Sequence, residues 1–213
     1  MISLTRIVAA VLLIAGFGLG EALAQSQTVS IIMVRHPEAD NTQPTRPLSG
    51  RGQARADLVS HTSSGVRFTH VFSSHTTRSR QAVERVAAAN KLVVVQLPTP
   101  GSMLDGKPVD DETTRRAPIE PIANELLKLP AGSVALVGLN SENIYAILNK
   151  LGVPVAASGQ SCAQGSMCVP CVSNECYPGK EFDHLWHVVR QQDQPQPLAY
   201  LELRYGAGWS APK

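Results

Sequence analysis

The sequence has no surplus of charge. Its formal balance is +2 at pH 7, too even for a nucleic-acid or membrane-surface partner, which needs one sign concentrated over a face. It also has no apolar run of the roughly 20 residues that a bilayer span requires. The longest, Ile7–Leu19, follows a short n-region, Met1–Arg6, and precedes Ala22-Leu23-Ala24, an A-x-A cleavage signal before Gln25. That pattern predicts a cleaved leader over residues 1–24, with an uncleaved anchor as the rival, and export to the periplasm or the medium. No cysteine follows the apolar stretch, so a lipid anchor is not indicated. Internal repeats and a domain linker are also missing, and residues 25–213 read as one domain able to bury a sizeable core.

Cysteine is absent everywhere except one short segment, where Cys162, Cys168, Cys171 and Cys176 fall inside a Gly-, Ser- and Pro-bearing insertion at about 158–180. An even count in an oxidising compartment predicts two disulfides, with connectivity open. A four-thiolate zinc site is the rival, but the spacing lacks paired C-x-x-C knuckles. Cys168-Val169-Pro170-Cys171 has redox spacing, yet no helix N-terminus obviously follows to lower its pKa.

What is present is an alternation of short apolar runs with helical patterns. Thr28–Val34, Val71–Ser73, Leu92–Leu97 and Ser133–Val137 read as strands, with two late strands near His184–Val189 and Leu198–Arg204. Helices are expected from a cap at Ser49 to about Ser60, with Ala54, Leu58 and Val59 on one face, and over Thr77–Asn90, with Ala82, Val83, Val86 and Ala87 at helical spacing. Two more are expected over Ile119–Lys128 and from a cap at Ser141 to Leu151, while Pro98–Ala117 reads as a long loop. Such alternation predicts an α/β three-layer sandwich, a mostly parallel sheet with helices on both faces.

Ligands of such sheets bind at the carboxyl ends of the strands. There the sequence sets Arg35-His36 after the first strand, His75 and Arg78 after the second, and Leu139-Asn140-Ser141 after the fourth. Two guanidinium forks, an imidazole and a helix N-terminus suit a phosphate or carboxylate.

These residues resemble a known family. Val34-Arg35-His36-Pro37 is similar to the Arg-His-Gly signature of the histidine phosphatase (phosphoglycerate mutase-like) superfamily. Leu48-Ser49-Gly50-Arg51-Gly52-Gln53-Ala54 and Ser73-Ser74-His75-Thr76-Thr77-Arg78 resemble its next two elements. Asp183-His184-Leu185-Trp186 and Leu203-Arg204-Tyr205-Gly206 are similar to the closing strands of its small exported members. The resemblance implies a phosphomonoesterase in which His36 carries the phosphoryl group while Arg35 and Arg78 bind its oxygens. It implies Asn41 or Thr42 as a further phosphate contact, and a general acid from the loop holding Asp105, Asp110, Asp111 and Glu112. Neither cofactor nor metal is implied; the ligand is a small phosphorylated or anionic molecule, and oligomeric state is left open.

Two positions depart from the family pattern. Pro37 stands where glycine or alanine is usual and removes an N–H. Leu139 stands where a second histidine donates to the phosphoryl group, and leucine cannot donate. His75 could substitute spatially, although it reads more simply as an exposed loop histidine. The alternative to a phosphatase is therefore a catalytically impaired pseudophosphatase that binds an anionic ligand in the same pocket.

Overall fold

A computed structural model describes residues 27–97, 103–104, 107–108, 120–156, 167–168 and 181–206. The expected leader, the acids Asp105, Asp110, Asp111 and Glu112, and Cys162, Cys171 and Cys176 lie outside the described residues.

The described residues begin with β1 (Thr28–Arg35), whose β-branched residues alternate between two cores. It continues through α1 (Gly50–Thr62), β2 (His70–Ser73), α2 (Thr77–Ala89) and β3 (Val94–Gln96). After the short antiparallel pair β4 (Met103–Leu104) and β5 (Lys107–Pro108) come α3 (Glu120–Leu127), β6 (Val134–Leu139) and α4 (Ser141–Lys150). A second short pair, parallel β7 (Val155–Ala156) and β8 (Met167–Cys168), precedes the hairpin of β9 (His184–Gln191) and β10 (Ala199–Arg204).

The main sheet has the order β10-β9-β1-β6-β2-β3. β1, β6, β2 and β3 run parallel, and β9 and β10 join antiparallel at one edge. Helices α1 and α2 cover one face, with Val59, Ala82, Val83 and Val86 packed on Val34, Val71 and Leu136. Helices α3 and α4 cover the other, with Ile122, Leu126, Ile144 and Leu148 packed on Ile31, Met33, Val137 and Trp186. The expected α/β three-layer sandwich is the observed one. Because β6 inserts between β1 and β2, the chain leaves β1 toward one slot and fills the neighbouring one much later. That reversal opens a crevice at the strands' carboxyl ends.

Three local expectations need correction. Ala54 is exposed, and α1 instead buries Gly52, Arg55, Ala56 and Val59. The helix is turned by the ion pair of Arg55 with Glu38, which outweighs the small apolar gain from one alanine. The third strand begins at Val94 rather than Leu92, because the Leu92 N–H still donates to the Ala87 carbonyl at the end of α2, where Lys91 adopts a left-handed φ of 57°. Asn140, not Ser141, is the N-cap residue of α4: its backbone is extended, and Ser141 is already helical.

Candidate functional site

Arg35 is the last residue of β1, and the register continues beyond it: the His36 N–H donates to the Leu139 carbonyl at 2.8 Å. His36 is therefore held at the carboxyl end of the sheet by the ladder itself. Its Nδ1 lies 2.8 Å from the Pro37 carbonyl. A carbonyl only accepts, so Nδ1 carries the proton and Nε2 keeps a lone pair. That lone pair accepts from Arg78 Nε at 3.2 Å.

Arg78 gets there because α2 starts soon after β2. The close approach of α2 to β6 depends on Gly138, where a Cβ would lie 2.3 Å from the Ser79 carbonyl oxygen. A similar constraint holds α1 against the loop after His36. Ser49 caps α1 by accepting from Gly52 N–H at 3.2 Å, and a Cβ on Gly52 would lie 2.1 Å from the Glu38 carbonyl oxygen. Glu38 in turn takes a two-pronged contact from buried Arg55, at 3.0 and 2.8 Å. Burial pushes the Glu38 carboxyl up, but the Arg55 hydrogen bond and the nearby cations outweigh it and the group stays below its ordinary value.

The imidazole of His36 is held well below its ordinary pKa. Burial is the largest cause, followed by the nearby charges of Arg78 and Arg35; the Pro37 hydrogen bond opposes them, and Arg46 adds a further cation. The result is a neutral, tautomerically fixed base enclosed by guanidinium groups. Arg35 itself donates from Nη1 to the Glu181 carbonyl at 2.5 Å, and its Cζ lies 4.3 Å from the centre of the Phe182 ring. The same ring lies 6.3 Å from the imidazole of His36.

Of the residues singled out from sequence, Arg35, His36 and Arg78 are thus brought together. His75 is buried, not an exposed loop histidine; it follows β2, one residue beyond Ser74, whose N–H donates to the Gly138 carbonyl at 2.9 Å. Asn41 and Thr42 lie in the exposed loop after His36. Asn41 Oδ1 accepts from Arg46 Nε and Nη2 at 2.9 and 2.7 Å, and Thr42 bonds to Asp40. Leu139 is fully buried in the core beneath α3 and α4. Cys168 pairs through its backbone in β8 with Ala156.

Sequence reasoning gave no site role to four participants. Arg46 sits just before the Pro47-Leu48-Ser49 element, a position that could have flagged it. Phe182 and the Glu181 carbonyl come from the segment before β9, with no local signal to mark them. Asn140 is fully buried beside the site, its Oδ1 accepting from Thr76 Oγ1 at 3.1 Å and Ser79 Oγ at 3.0 Å. Among the described residues no group of three His, Cys, Asp or Glu converges as a metal site, and no helix is long and apolar enough to cross a membrane.

The family model of the histidine phosphatase superfamily (branch 1) matches residues 31–99, the stretch from within β1 to just beyond β3 that carries Arg35, His36 and Arg78. No curated protein matches the chain. Among solved structures, one described as mycobacterial hydrolase 2 is similar with a TM-score of 0.51 at 12% identity, over 86% of this chain and 93% of its own. Another, mycobacterial hydrolase 1, is similar with a TM-score of 0.50 at 12% identity, over 85% of this chain and 100% of its own. At such identities the likeness is one of fold. The matched segment, about a third of the chain, is similar to the histidine phosphatase superfamily (branch 1), and the solved structures share the fold.

Proposed function

We propose that the chain is a phosphatase that hydrolyses small phosphomonoesters through a phosphoryl group carried on His36, working outside the cytoplasm after losing residues 1–24. The observation that carries the reading is the state of His36: buried, neutral, with Nδ1–H on the Pro37 carbonyl and the Nε2 lone pair turned toward Arg78. A nucleophilic imidazole needs that protonation state and that orientation.

In the reaction the Nε2 lone pair attacks phosphorus while the bond from phosphorus to the leaving alcohol breaks. The guanidinium groups of Arg35 and Arg78 offset the charge on the equatorial oxygens. The substrate's oxygens take over the Arg78 N–H that His36 otherwise accepts. The alcohol leaves with a proton from an acid, for which Asp105, Asp110, Asp111 and Glu112 are the candidates. Water, giving a proton to the carboxylate left by the first step, then attacks the phosphohistidine; the bond from nitrogen to phosphorus breaks and its electron pair returns to Nε2.

One observation favours a second reading, that of an anion-binding pseudophosphatase. The Leu139 side chain belongs to the core, so the position where the family pattern calls for a donating histidine contributes no donor. Phosphate release from a panel of phosphomonoesters, measured beside His36→Ala, separates the two. Catalysis requires turnover that His36→Ala abolishes, and an acid-labile phosphoryl adduct on the wild-type chain. Oxyanion binding without turnover on any substrate of the panel leaves the pseudophosphatase standing instead.

A further inference from the structure

We propose that Asn140 supplies the phosphoryl donor that Leu139 cannot, through its side-chain Nδ2. The inference rests on the anion-binding role of the His36 pocket and deepens it by naming one more residue that touches the phosphoryl group.

The register carries the first step. β1 and β6 run parallel with Arg35 opposite Leu139, and the His36 N–H bond to the Leu139 carbonyl continues the ladder. One residue further, His36 and Asn140 stand side by side on neighbouring strand ends, roughly 5 Å apart at the usual strand spacing. Alternation carries the second. Leu139 enters the core under α3 and α4, whereas Leu136 and Gly138 face α2. Asn140 follows in the same alternation toward α2. The hydrogen bonds agree, since its Oδ1 meets Thr76 and Ser79 at the start of α2. Ser79 directly follows Arg78, the residue whose Nε reaches His36 Nε2. Consecutive residues of one helix thus hold the two side chains.

Orientation and satisfaction carry the third step. The Thr76 hydroxyl lies 2.9 Å from Ser79 Oγ and 3.1 Å from Oδ1, and the Ser79 hydroxyl donates to Oδ1 at 3.0 Å, so the amide oxygen is committed to α2. Nδ2 is buried and has no hydrogen-bond partner among the described residues. Buried amide N–H groups are nearly always paired, and Asn140 stands at the strand end beside His36, where an oxyanion held by Arg78 and the N-terminus of α4 would sit. An amide donates without giving up its proton. Asn140 would therefore stabilise charge on the phosphoryl oxygens and leave protonation of the alcohol entirely to a carboxylic acid.

The test uses the full mature chain and tungstate as the probe. In a nitrogen-15 spectrum, the Asn140 side-chain amide, assigned through its own backbone N–H, should shift on tungstate binding. Asn140→Asp and Asn140→Ala, the second adding no charge, should each weaken tungstate binding at least tenfold and slow any phosphate release by about 10²–10³. A tungstate affinity that depends on Arg78, together with an unmoved Asn140 amide signal, overturns the assignment and leaves the anion pocket intact. That outcome can be read even if neither variant folds, because the signal comes from wild type. A wild-type chain that binds no tungstate overturns the pocket and the Asn140 donor together.

Discussion

Two buried histidines stand at the same end of this sheet in opposite electrostatic company. His36 is surrounded by the guanidinium groups of Arg78, Arg35 and Arg46. His184, at the start of β9, has both ring nitrogens on carboxylates: Nδ1 on Glu202 and Nε2 on Glu181 at 2.8 Å, with Asp183 3.8 Å away. His184 also stacks on Trp186, with ring centres 5.9 Å apart. The segment Glu181–Asp183 separates the two, sending its Phe182 ring and the Glu181 carbonyl to Arg35 and its carboxylates to His184 and Arg204. Cations around His36 keep a lone pair on Nε2, which accepts from Arg78. Carboxylates around His184 occupy both nitrogens and leave none. Residue type alone makes the two equivalent; the charges packed around each leave one with a neutral ring and tie the other into an edge of the sheet.

The largest effect expected from this contrast is on turnover. His36→Ala should abolish phosphate release, a loss of at least about 10³-fold, since the proposed reaction carries the phosphoryl group on His36. His184→Ala should leave turnover within about tenfold at a temperature where both proteins are folded. Parallel phosphate-release assays check this, and equal losses in the two variants would erase the distinction between the sites. Next in size is Arg78. Removing its fork in Arg78→Ala should cost about 10²–10³ in rate. Arg78→Lys should recover little, because a lysine is a point charge without the planar pair of donors.

Smaller again is the structural cost at the other histidine. His184→Ala leaves the partly exposed carboxylates of Glu181 and Glu202 without the group between them, and should lower stability by about 1–3 kcal/mol. A drop in melting temperature without a change in tungstate affinity would mark the role as structural. A loss of tungstate binding at unchanged stability would mean that the Glu181–Asp183 segment governs Arg35 more tightly than the contacts suggest.

How much of the fold and site is legible in the sequence depends on how local each cause is. Ser49, the apolar face of α2 and the Arg35-His36 pair at the end of a β-branched run are readable, because caps, helical periodicity and strand ends act over a few residues. The face of α1 is misread because Arg55 is buried by a carboxylate 17 residues away, which hydropathy does not register. Phe182 and Glu181 are invisible for a stronger form of the same reason: Arg35 and Glu181 are 146 residues apart, joined only by the antiparallel return of β9 along β1. At Leu139-Asn140 the family pattern draws attention to a leucine, which cannot donate. Strand alternation, which becomes useful only once the register is known, moves it to the next one.

The smallest effect expected is also the one that tests the electrostatic half of the comparison without any substrate. In the folded chain His36 titrates well below its ordinary value, for burial and for the charges of Arg78 and Arg35, whereas in the unfolded chain it titrates near 6.5. Between those two values the unfolded state binds a proton that the folded state refuses. Stability is therefore fully present above about pH 6.5 and falls as the pH is lowered toward the folded-state value, by at most about 1.4 kcal/mol per pH unit from this one group. In His36→Gln that contribution should vanish, so the difference in unfolding free energy between wild type and variant should change with pH only below about 6.5, in favour of the variant. Chemical denaturation at a series of pH values reads this directly. A difference that stays constant down to pH 5 would mean that His36 takes up its proton in the folded state as easily as in the unfolded one, and the lone pair assigned to Nε2 would not be protected by its surroundings.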